Sequence, residues 1–397
     1  MNYSKKLLAI TPSLTLQISA QAKKMKEEGK KVISFGAGEP DFNTPLNIQK
    51  AAIKAMEDGY TKYTPASGIL PLKKAIVKKL KNDNNLDYTT TQIIISNGAK
   101  QCVANTLMAI LNEGDEVIIP APYWVTYPEL VKIADGVPIF IETKESNEFK
   151  ITKESLEKAI TSKTKAIILN SPNNPTGSLY SKEELQFIAD IAKQYDFIII
   201  SDEIYEKLIY GDEKHISIAS LSEDAYNRTI VINGVSKSYA MTGWRVGYCA
   251  GPEAVIKLMN SLQSHATSNA NSIAQYASIE ALEGDQSTVY MMKDEFKKRR
   301  NFMFNRINQT QNISCISPKG AFYILVNISE LLGKSYNGLA IKDSVDFSNI
   351  LLENGNVAVV PGDAFGIAGY IRMSYATSME NIKNGLDNME DFIKHII

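Results

Sequence analysis

The residues with the clearest chemical potential are a lysine, an arginine and an acid–phenol pair. Lys237 stands among small residues, eight positions before Arg245. A lysine amine can hold a carbonyl compound covalently, and a guanidinium can bind a phosphate or carboxylate through two parallel hydrogen bonds. Asp202 and Tyr205 are three residues apart, close enough to converge on one ligand. Alone, each has a commoner structural explanation, such as a helix cap for Asp202 or a surface position for Lys237.

Two further loops carry residues that a bare turn would not need. The run Asn97-Gly98-Ala99-Lys100 opens a predicted helix, and small residues at a helix N-terminus let backbone N–H groups approach a phosphate. The run from Ser171 to Gly177 holds two prolines, and a turn alone would not require its Asn174. No GxGxxG or Walker A motif occurs, so a dinucleotide or nucleoside triphosphate site is unsupported.

Cysteine and histidine usage favours no metal. The three cysteines form no CxxC pair, and the three histidines are far apart with no HExxH. A zinc site or a disulfide framework is therefore unsupported, and we expect reduced, buried thiols in a cytoplasmic protein.

Composition and charge exclude several classes of partner. The 397 residues suggest two domains, and 43 basic against 44 acidic residues give a net charge of −1. That removes the bulk electrostatic case for nucleic acid or an anionic membrane. The N-terminal apolar run Leu7–Ile10 is shorter than the roughly 7–15 residues of a signal peptide. We expect no membrane segment.

Each of these loops follows a short apolar run, and the runs predict a parallel sheet. Nearly continuous apolar strands are expected when helices cover both faces of such a sheet. Helical patterns at Ala99–Leu111, Trp124–Ala134 and Ser181–Tyr195 alternate with the runs. Ligands then bind beyond the carboxyl ends of the strands. The predicted strands are Ile93–Ser96, Glu116–Pro120, Ala166–Asn170, Phe197–Ser201 and Thr229–Asn233.

After about residue 285 the pattern changes to an α+β segment. A long charged helix is predicted over 286–308, and its basic run at Lys297–Arg300 is interpreted as a solvated face rather than a nucleic-acid patch. Strands at Ala321–Val326, Val357–Val360 and Tyr370–Ser374, with helices over 341–353 and 379–396, complete the segment.

Together these loops resemble the fold-type I pyridoxal-phosphate enzymes, in particular class I/II aminotransferases of the bacterial aspartate and prephenate subgroup. The most specific match is SDEIY followed by SKSYAMTGWRVGY, with NNPTG before it. The resemblance implies an α/β fold with a large, mostly parallel-sheet domain over 46–284 and a smaller, discontinuous α+β domain from 1–45 plus 285–397. The matching stretches run from residue 12 to 378: PSLTL, FGAGEPDFNTP, KYTPASGI, NGAKQ, PYWVTYPE, NSPNNPTG, SDEIYE, SKSYAMTGWRVGY, PKGAFY, VAVVPGDAFG and IRMSYATS.

The resemblance also implies pyridoxal 5′-phosphate as cofactor. It assigns covalent attachment and proton transfer to Lys237, and the ring-nitrogen contact to Asp202. It gives ring-hydroxyl contacts to Tyr205 and Asn174, and the phosphate to Arg245. One departure is Gly234, where many relatives carry a phosphate-binding serine, which Ser236 could replace. The predicted cofactor-binding residues are Gly98, Ala99, Lys100, Trp124, Asn174, Asp202, Tyr205, Ser236, Lys237 and Arg245, with Tyr63 reaching across a homodimer interface; Lys237, Asp202 and Tyr205 are the predicted catalytic residues.

For the substrate, the resemblance implies an amino acid and a 2-oxo acid, with L-aspartate and 2-oxoglutarate favoured. Arg372 would bind the α-carboxylate bidentately, and Lys100, Ser13 and Thr15 match the positions that contact the distal carboxylate. Relatives active on prephenate often have a basic residue where this chain has Thr11, which weakens that alternative. The predicted substrate-binding residues are Gly38, Trp124, Asn174, Arg372, Ser13, Thr15 and Lys100.

Three alternatives remain open from the sequence. The enzyme could be an aminotransferase for prephenate, aromatic or other amino acids, or a pyridoxal-phosphate lyase, decarboxylase or synthase on the same fold. A non-catalytic cofactor-binding module of a transcription regulator is disfavoured, because PSLTL begins by residue 12 and the net charge is −1.

Overall fold

The structure is a computed structural model that describes residues 2–397; Met1, the first residue of the predicted 1–45 segment, lies outside this range. None of the helices over residues 2–397 is long and apolar enough to cross a membrane. The α-helices are α1 Lys5–Leu8, α2 Leu14–Glu27, α3 Leu46–Glu57, α4 Leu70–Asn84, α5 Ala99–Ile110, α6 Thr126–Ile133, α7 Lys153–Ala159, α8 Lys182–Tyr195, α9 Glu223–Arg228, α10 Glu253–Ala266, α11 Ser272–Glu283, α12 Ser287–Gln309, α13 Ser344–Gly355 and α14 Met379–Lys394.

Four sheets are formed within the described residues. The largest has seven strands in the order β2-β8-β7-β6-β5-β3-β4, and all its pairs are parallel except those of β8, which runs antiparallel to β2 and β7. The strands are β1 Ile33–Ser34, β2 Ile93–Ser96, β3 Glu116–Ala121, β4 Val137–Glu142, β5 Thr164–Asn170, β6 Ile198–Asp202, β7 Thr229–Gly234, β8 Gly247–Ala250, β9 Ser314–Cys315, β10 Tyr323–Asn327, β11 Ser335–Tyr336, β12 Leu339–Ala340, β13 Val357–Ala358, β14 Val360–Pro361 and β15 Tyr370–Ser374.

The predicted mostly parallel sheet is confirmed, and its core explains the continuous apolar runs. Successive residues of one strand enter different hydrophobic clusters: Ile168 packs on the α5 side of the sheet, and Ile167 packs on the α8 side. Side chains alternate between the faces of a strand, so both faces must be apolar when both are covered. The five predicted strands are present with ends shifted by at most two residues. Strands β4 and β8 were not predicted.

The second large sheet, β14-β15-β10-β9, is antiparallel and packs against the last three helices. The predicted strand Ala321–Val326 begins at Tyr323, because Ala321 has a positive φ of 59°. The predicted strand Val357–Val360 is divided between two sheets: β13 pairs with β1, and β14 pairs with β15. The predicted helix over 341–353 begins at Ser344, where the Asp343 carboxylate caps it.

Both ends of the chain meet in this second region. Strand β1 runs parallel to β13, with Ile33 opposite Val357. Helix α2 packs on the same region, since Ile18 and Met25 share a buried cluster with Leu352. This packing supports a small discontinuous domain, and the boundaries 46–284 and 1–45 plus 285–397 remain our proposal.

Candidate active site

A cavity of about 1090 Å³ lies at the carboxyl ends of the central strands. Its wall is built from the loops after β5, β6 and β7, together with the N-terminal segment 10–16 and Arg372 on β15. Most of the predicted site residues line it. They are Ser13, Thr15, Gly38, Ala99, Lys100, Trp124, Asn174, Asp202, Tyr205, Ser236, Lys237, Arg245 and Arg372. Both ends of the chain therefore contribute to one site.

Lys237 projects into this cavity from the loop that follows β7. Its side-chain amine donates a hydrogen bond of 2.6 Å to the carbonyl oxygen of Gly38. Burial lowers the pKa of Lys237 to about 8; the charge of Glu39 opposes this shift, and the guanidinium groups of Arg245 and Arg372 reinforce it. A substantial fraction of the amine is therefore uncharged slightly above neutral pH.

Asp202 is the last residue of β6, and its carboxylate is buried. Tyr127 on α6 donates its hydroxyl to Asp202 Oδ2 at 2.6 Å, and the backbone N–H of Ile204 donates to Oδ1 at 3.3 Å. Burial raises the pKa of Asp202 to about 6; these two hydrogen bonds oppose the shift, while the charge of Glu203 adds to it. The two donors thus stabilise an anion that burial alone would disfavour.

Arg372 is held between two aromatic rings, and only 3% of it is exposed. Its guanidinium carbon lies 4.5 Å from the centre of the Tyr323 ring and 4.9 Å from that of Phe365. It donates to the side-chain oxygen of Asn174 at 3.1 Å and to the carbonyl of Gly36 at 2.9 Å. Its buried Nε has no hydrogen-bond partner within residues 2–397. The stacking and the two hydrogen bonds fix the plane of this cation at the cavity wall.

Arg245 lies against the N-terminus of α5. Its guanidinium donates to the carbonyls of Thr242 at 3.0 Å and Asn97 at 3.2 Å. Gly98 precedes the helix with φ of +87°, and a Cβ there would lie 2.5 Å from Arg245 Nη2. The positive φ disfavours any other residue at 98, and a side chain there would displace the guanidinium, so the arginine and the first N–H groups of α5 form one anion-binding corner. Gly98 itself does not line the cavity but lies directly under this corner.

Two other groups of predicted residues reach the cavity. The Lys100 amine lies 5.1 Å from the centre of the Trp124 indole, and burial together with the charge of Arg245 lowers the pKa of Lys100. Ser13 caps α2, whereas the buried hydroxyl of Thr15 has no hydrogen-bond partner in the described part of the chain. Lys100, Ser13 and Thr15 therefore offer polar atoms to a ligand.

The structure does not bring Tyr63 to the cavity of its own chain. Its side chain is 90% exposed, which leaves it available to a neighbouring subunit. Gly234 stands at a close approach of β7 and β8, where a Cβ would lie 2.9 Å from the carbonyl oxygen of Val246. A larger residue at 234 would therefore require β7 and β8 to shift apart locally.

Sequence reasoning missed Tyr127 and Tyr323. Tyr127 lies three residues after Trp124, a spacing that places both on one side of a helix, and this was the available signal. Tyr323 accepts or donates a 3.0 Å hydrogen bond with Tyr205 and stacks on Arg372. No local signal identifies Tyr323, because its contacts depend on how β10 packs beneath the loop after β6.

A sequence model of the family described as aminotransferase class I and II matches residues 30–389. The chain belongs to the class I and II aminotransferases. This aminotransferase is 51% identical over 385 residues to the aspartate aminotransferase of Bacillus sp. strain YM-2, covering 97% of both chains. It is 46% identical to the aspartate/prephenate aminotransferase of Nitrosomonas europaea, covering 99% of this chain and all of that one. It superimposes on the aspartate aminotransferase of Rhizobium meliloti with a TM-score of 0.97 at 41% identity, covering both chains completely.

Aminotransferases of this family use pyridoxal 5′-phosphate. The charged and polar groups that line this cavity fit that molecule. The corner formed by Arg245 and Gly98 suits a phosphate, because a Cβ at residue 98 would fill the space the guanidinium occupies. The buried anion of Asp202 suits a protonated pyridine nitrogen, and the Lys237 amine suits an aldehyde.

Proposed function

We propose that this aminotransferase moves the amino group of L-aspartate to 2-oxoglutarate by a ping-pong mechanism. One observation carries the proposal: a single cavity holds a lysine of lowered pKa, a buried carboxylate and two separate arginines. The phosphate of the cofactor and the α-carboxylate of the amino acid would each bind a cation. Arg245 and Arg372, on different elements, can supply one cation each. The name of the Bacillus relative supports aspartate as donor.

Specific residues would hold the cofactor. When bound, pyridoxal phosphate supplies an electron-withdrawing ring that makes the substrate Cα–H acidic. Asp202 would keep the ring nitrogen protonated, and Tyr205 with Asn174 would hydrogen-bond the ring hydroxyl. Arg245 and the N–H group of Ala99 would bind the phosphate, with Ser236 and Lys100 beside them, and the Trp124 indole would cover a ring face. The predicted contact from Gly98 is corrected, because its N–H already donates to the carbonyl oxygen of Ser96 at 2.8 Å.

Lys237 would then act as the general base. With the substrate held beside the bound cofactor, the free amine of Lys237 would take the proton from the substrate Cα and hold it for the later proton transfer. The lowered pKa of Lys237, about 8, allows this at neutral pH, because a lysine of ordinary pKa would stay protonated. Below pH 8 the free amine is increasingly protonated, so this step slows as the pH falls.

Substrate binding would divide between two ends of the cavity. Arg372 would bind the α-carboxylate through its planar fork of donors, with the Gly38 backbone, Asn174 and the Trp124 ring beside it. Lys100, Ser13 and Thr15 would bind the distal carboxylate of aspartate. The unpartnered hydroxyl of Thr15 supports this assignment, since a buried polar group without a partner is unfavourable unless a ligand satisfies it.

A second candidate acceptor is prephenate, which also carries two carboxylates. The name of the Nitrosomonas europaea relative supports it. The side chain of Thr11 is neutral, so this position supplies no extra cation, and its backbone N–H donates to the Glu129 carboxylate at 3.1 Å. A panel of 2-oxo acids with aspartate as donor separates the two acceptors.

We also propose a homodimer in which Tyr63 reaches the phosphate of the partner subunit's cofactor. Exposed apolar side chains on one face of α3, namely Leu46, Ile53 and Met56, support such an interface beside Tyr63. We propose a cytoplasmic location as well, which is supported by the three free, buried cysteines.

Replacing Lys237 by Ala tests the proposal directly. We expect turnover to be abolished and the absorbance of the covalently held cofactor to disappear, whereas replacing the exposed Lys24 of α2 should change neither. Amino transfer from a panel of donors to 2-oxoglutarate is measured alongside, and aspartate should be the best donor. Turnover without stoichiometric amino transfer would instead indicate a lyase, and a fully active Lys237→Ala chain would refute the mechanism.

A further inference from the structure

The segment 202–206, which begins at the last residue of β6, has two faces. Asp202 and Tyr205 line the cavity, while Glu203 and Glu206 point away from it and are 1% and 9% exposed. Two buried carboxylates therefore lie directly behind the proposed cofactor-binding carboxylate. Burying such charges is costly unless each is paired.

Glu203 is paired with a histidine from the loop before residue 218. Its Oε1 accepts hydrogen bonds from the hydroxyls of Ser201 at 2.9 Å and Ser217 at 2.6 Å, and its Oε2 lies 2.9 Å from His215 Nε2. Because a carboxylate only accepts hydrogen bonds, His215 Nε2 must carry a proton. The other ring nitrogen, Nδ1, is buried and has no hydrogen-bond partner within residues 2–397.

Glu206 is paired with a lysine from α4. Lys79 contacts Glu206 and donates to the side-chain oxygen of Asn84 at 2.6 Å, and Asn84 in turn donates to Glu206 at 2.9 Å. One carboxylate oxygen each of Glu203 and Glu206 and one ring nitrogen of His215 lie within 4.8 Å of one another, a spacing that a metal site would also have. Lys79 already supplies a cation there, so the cluster needs one further positive charge rather than a divalent ion.

His215 would supply that charge when both of its ring nitrogens are protonated. Burial alone would lower the pKa of His215, but the charge and hydrogen bond of Glu203, with the charge of Glu206, outweigh burial and raise it. Lys79 opposes this rise. The charged and titratable groups around the cluster are Glu203, Glu206, Lys79, the Asp83–Lys207 ion pair, Tyr88, Tyr239, Tyr248 and Asp202.

We propose that His215 is a positioning residue for amino transfer: its positive charge neutralises Glu203 behind the active site and so keeps Asp202 ionised toward the cofactor ring nitrogen. The inference rests on the proposed role of Asp202. The negative charge of Glu203 disfavours ionisation of the adjacent Asp202. An unpaired Glu203 would therefore move the shared proton from the ring nitrogen toward Asp202, although His215 touches neither group.

The test uses the holoenzyme reconstituted with pyridoxal phosphate labelled with ¹⁵N in its ring. The variants are His215→Gln, which keeps a donor for Glu203 but removes the charge, Glu203→Gln, and the double variant. The control is His395→Gln, because His395 is an exposed residue directly after α14. In His215→Gln we expect the ring-nitrogen signal to move toward unprotonated pyridine. A shift of one pKa unit in Asp202 changes the equilibrium for sharing the proton with the ring nitrogen about tenfold, so we expect kcat to fall by up to about tenfold, with KM little changed.

The double variant separates an electrostatic role from a merely structural one. Removing Glu203 as well removes the charge that His215 balances, so the ring-nitrogen signal and kcat should return to near the native values. Losses that add in the double variant, or a native ring-nitrogen signal in His215→Gln, would overturn the inference.

A second measurement covers the case in which His215→Gln does not fold. The imidazole signals of His215 are titrated by NMR in the native holoenzyme and in Glu203→Gln, where the pKa of His215 should fall clearly. An unchanged His215 titration would overturn the inference. A chain that binds no cofactor at all would instead refute the proposed function. The titration of His215 would still show whether His215 and Glu203 interact.

Discussion

Lys100 is the residue whose replacement tests the choice of substrate most directly. In Lys100→Ala we expect a lower kcat/KM for aspartate, because a hydrogen bond to a charged group is lost. The loss corresponds to about 1.5–3 kcal/mol of transition-state binding free energy. The fall for an apolar amino acid should be much smaller, since that substrate has no distal carboxylate. Steady-state kinetics with aspartate and leucine measure both. Equal losses for the two donors would remove the distal-carboxylate role.

Arg372 tests the α-carboxylate site. Lysine keeps the positive charge but cannot reproduce the fork of donors or the stacking between Tyr323 and Phe365. We expect Arg372→Lys to lower kcat/KM for aspartate by at least about tenfold, mainly through KM. Arg306→Lys is a suitable control, because Arg306 pairs with Asp387 and Glu390 away from the cavity. A native KM in Arg372→Lys would contradict the assignment.

At this scale, the residues that follow strand ends could be predicted and their supporting partners could not. Lys237 and Asp202 stand directly after apolar runs, and parallel strands bring such loops to one edge of a sheet. Tyr127 donates to Asp202 from a helix 75 residues earlier in the chain. That contact depends on how α6 packs, which no local pattern encodes.

At the scale of elements, β7 and β8 approach so closely at Gly234 that a Cβ there would require them to shift. In Gly234→Ala the new Cβ would lie 2.9 Å from the carbonyl oxygen of Val246. We expect overpacking to lower the free energy of unfolding by about 1–3 kcal/mol, measured by denaturant titration of the holoenzyme. Gly243→Ala is the matched control, since a Cβ there meets no atom within 4 Å. A Gly234→Ala chain as stable as the control would show that the strands can separate at little cost.

The elements that could be predicted are those with long apolar runs. Strand β8 could not, because Gly247–Ala250 is a four-residue run without a β-branched residue, and only its neighbours β2 and β7 make it a strand. The division of the run Val357–Val360 between two sheets also depends on partners, β1 and β15, that lie far away in the chain.

At the scale of the whole molecule, a mixing experiment tests the homodimer. A Tyr63→Ala chain would lack the partner's phosphate contact, and a Lys237→Ala chain would lack the catalytic amine. In a mixed dimer, one of the two sites would hold both Lys237 and Tyr63. About half of the dimers are mixed after random pairing, so about a quarter of native activity should appear at limiting cofactor. Each chain alone, refolded in the same way, is the control. Activity that stays at the level of the separate chains, or a monomer by light scattering, would contradict the shared site.

The pairing of β1 with β13 has a consequence for synthesis on the ribosome. All strands of the seven-stranded sheet lie between Ile93 and Ala250, so that sheet can form, with Lys237, Asp202 and Arg245 in place, while the C-terminal part is still being translated. Strand β1 has to wait for Val357, and the α-carboxylate site has to wait for Arg372. At about 5–20 residues per second, Arg372 follows Lys237 by roughly 7–27 s. The nascent chain therefore completes its cofactor half before its substrate half, and its N-terminal strand stays unpaired until Val357 is made, roughly 6–24 s after Lys237.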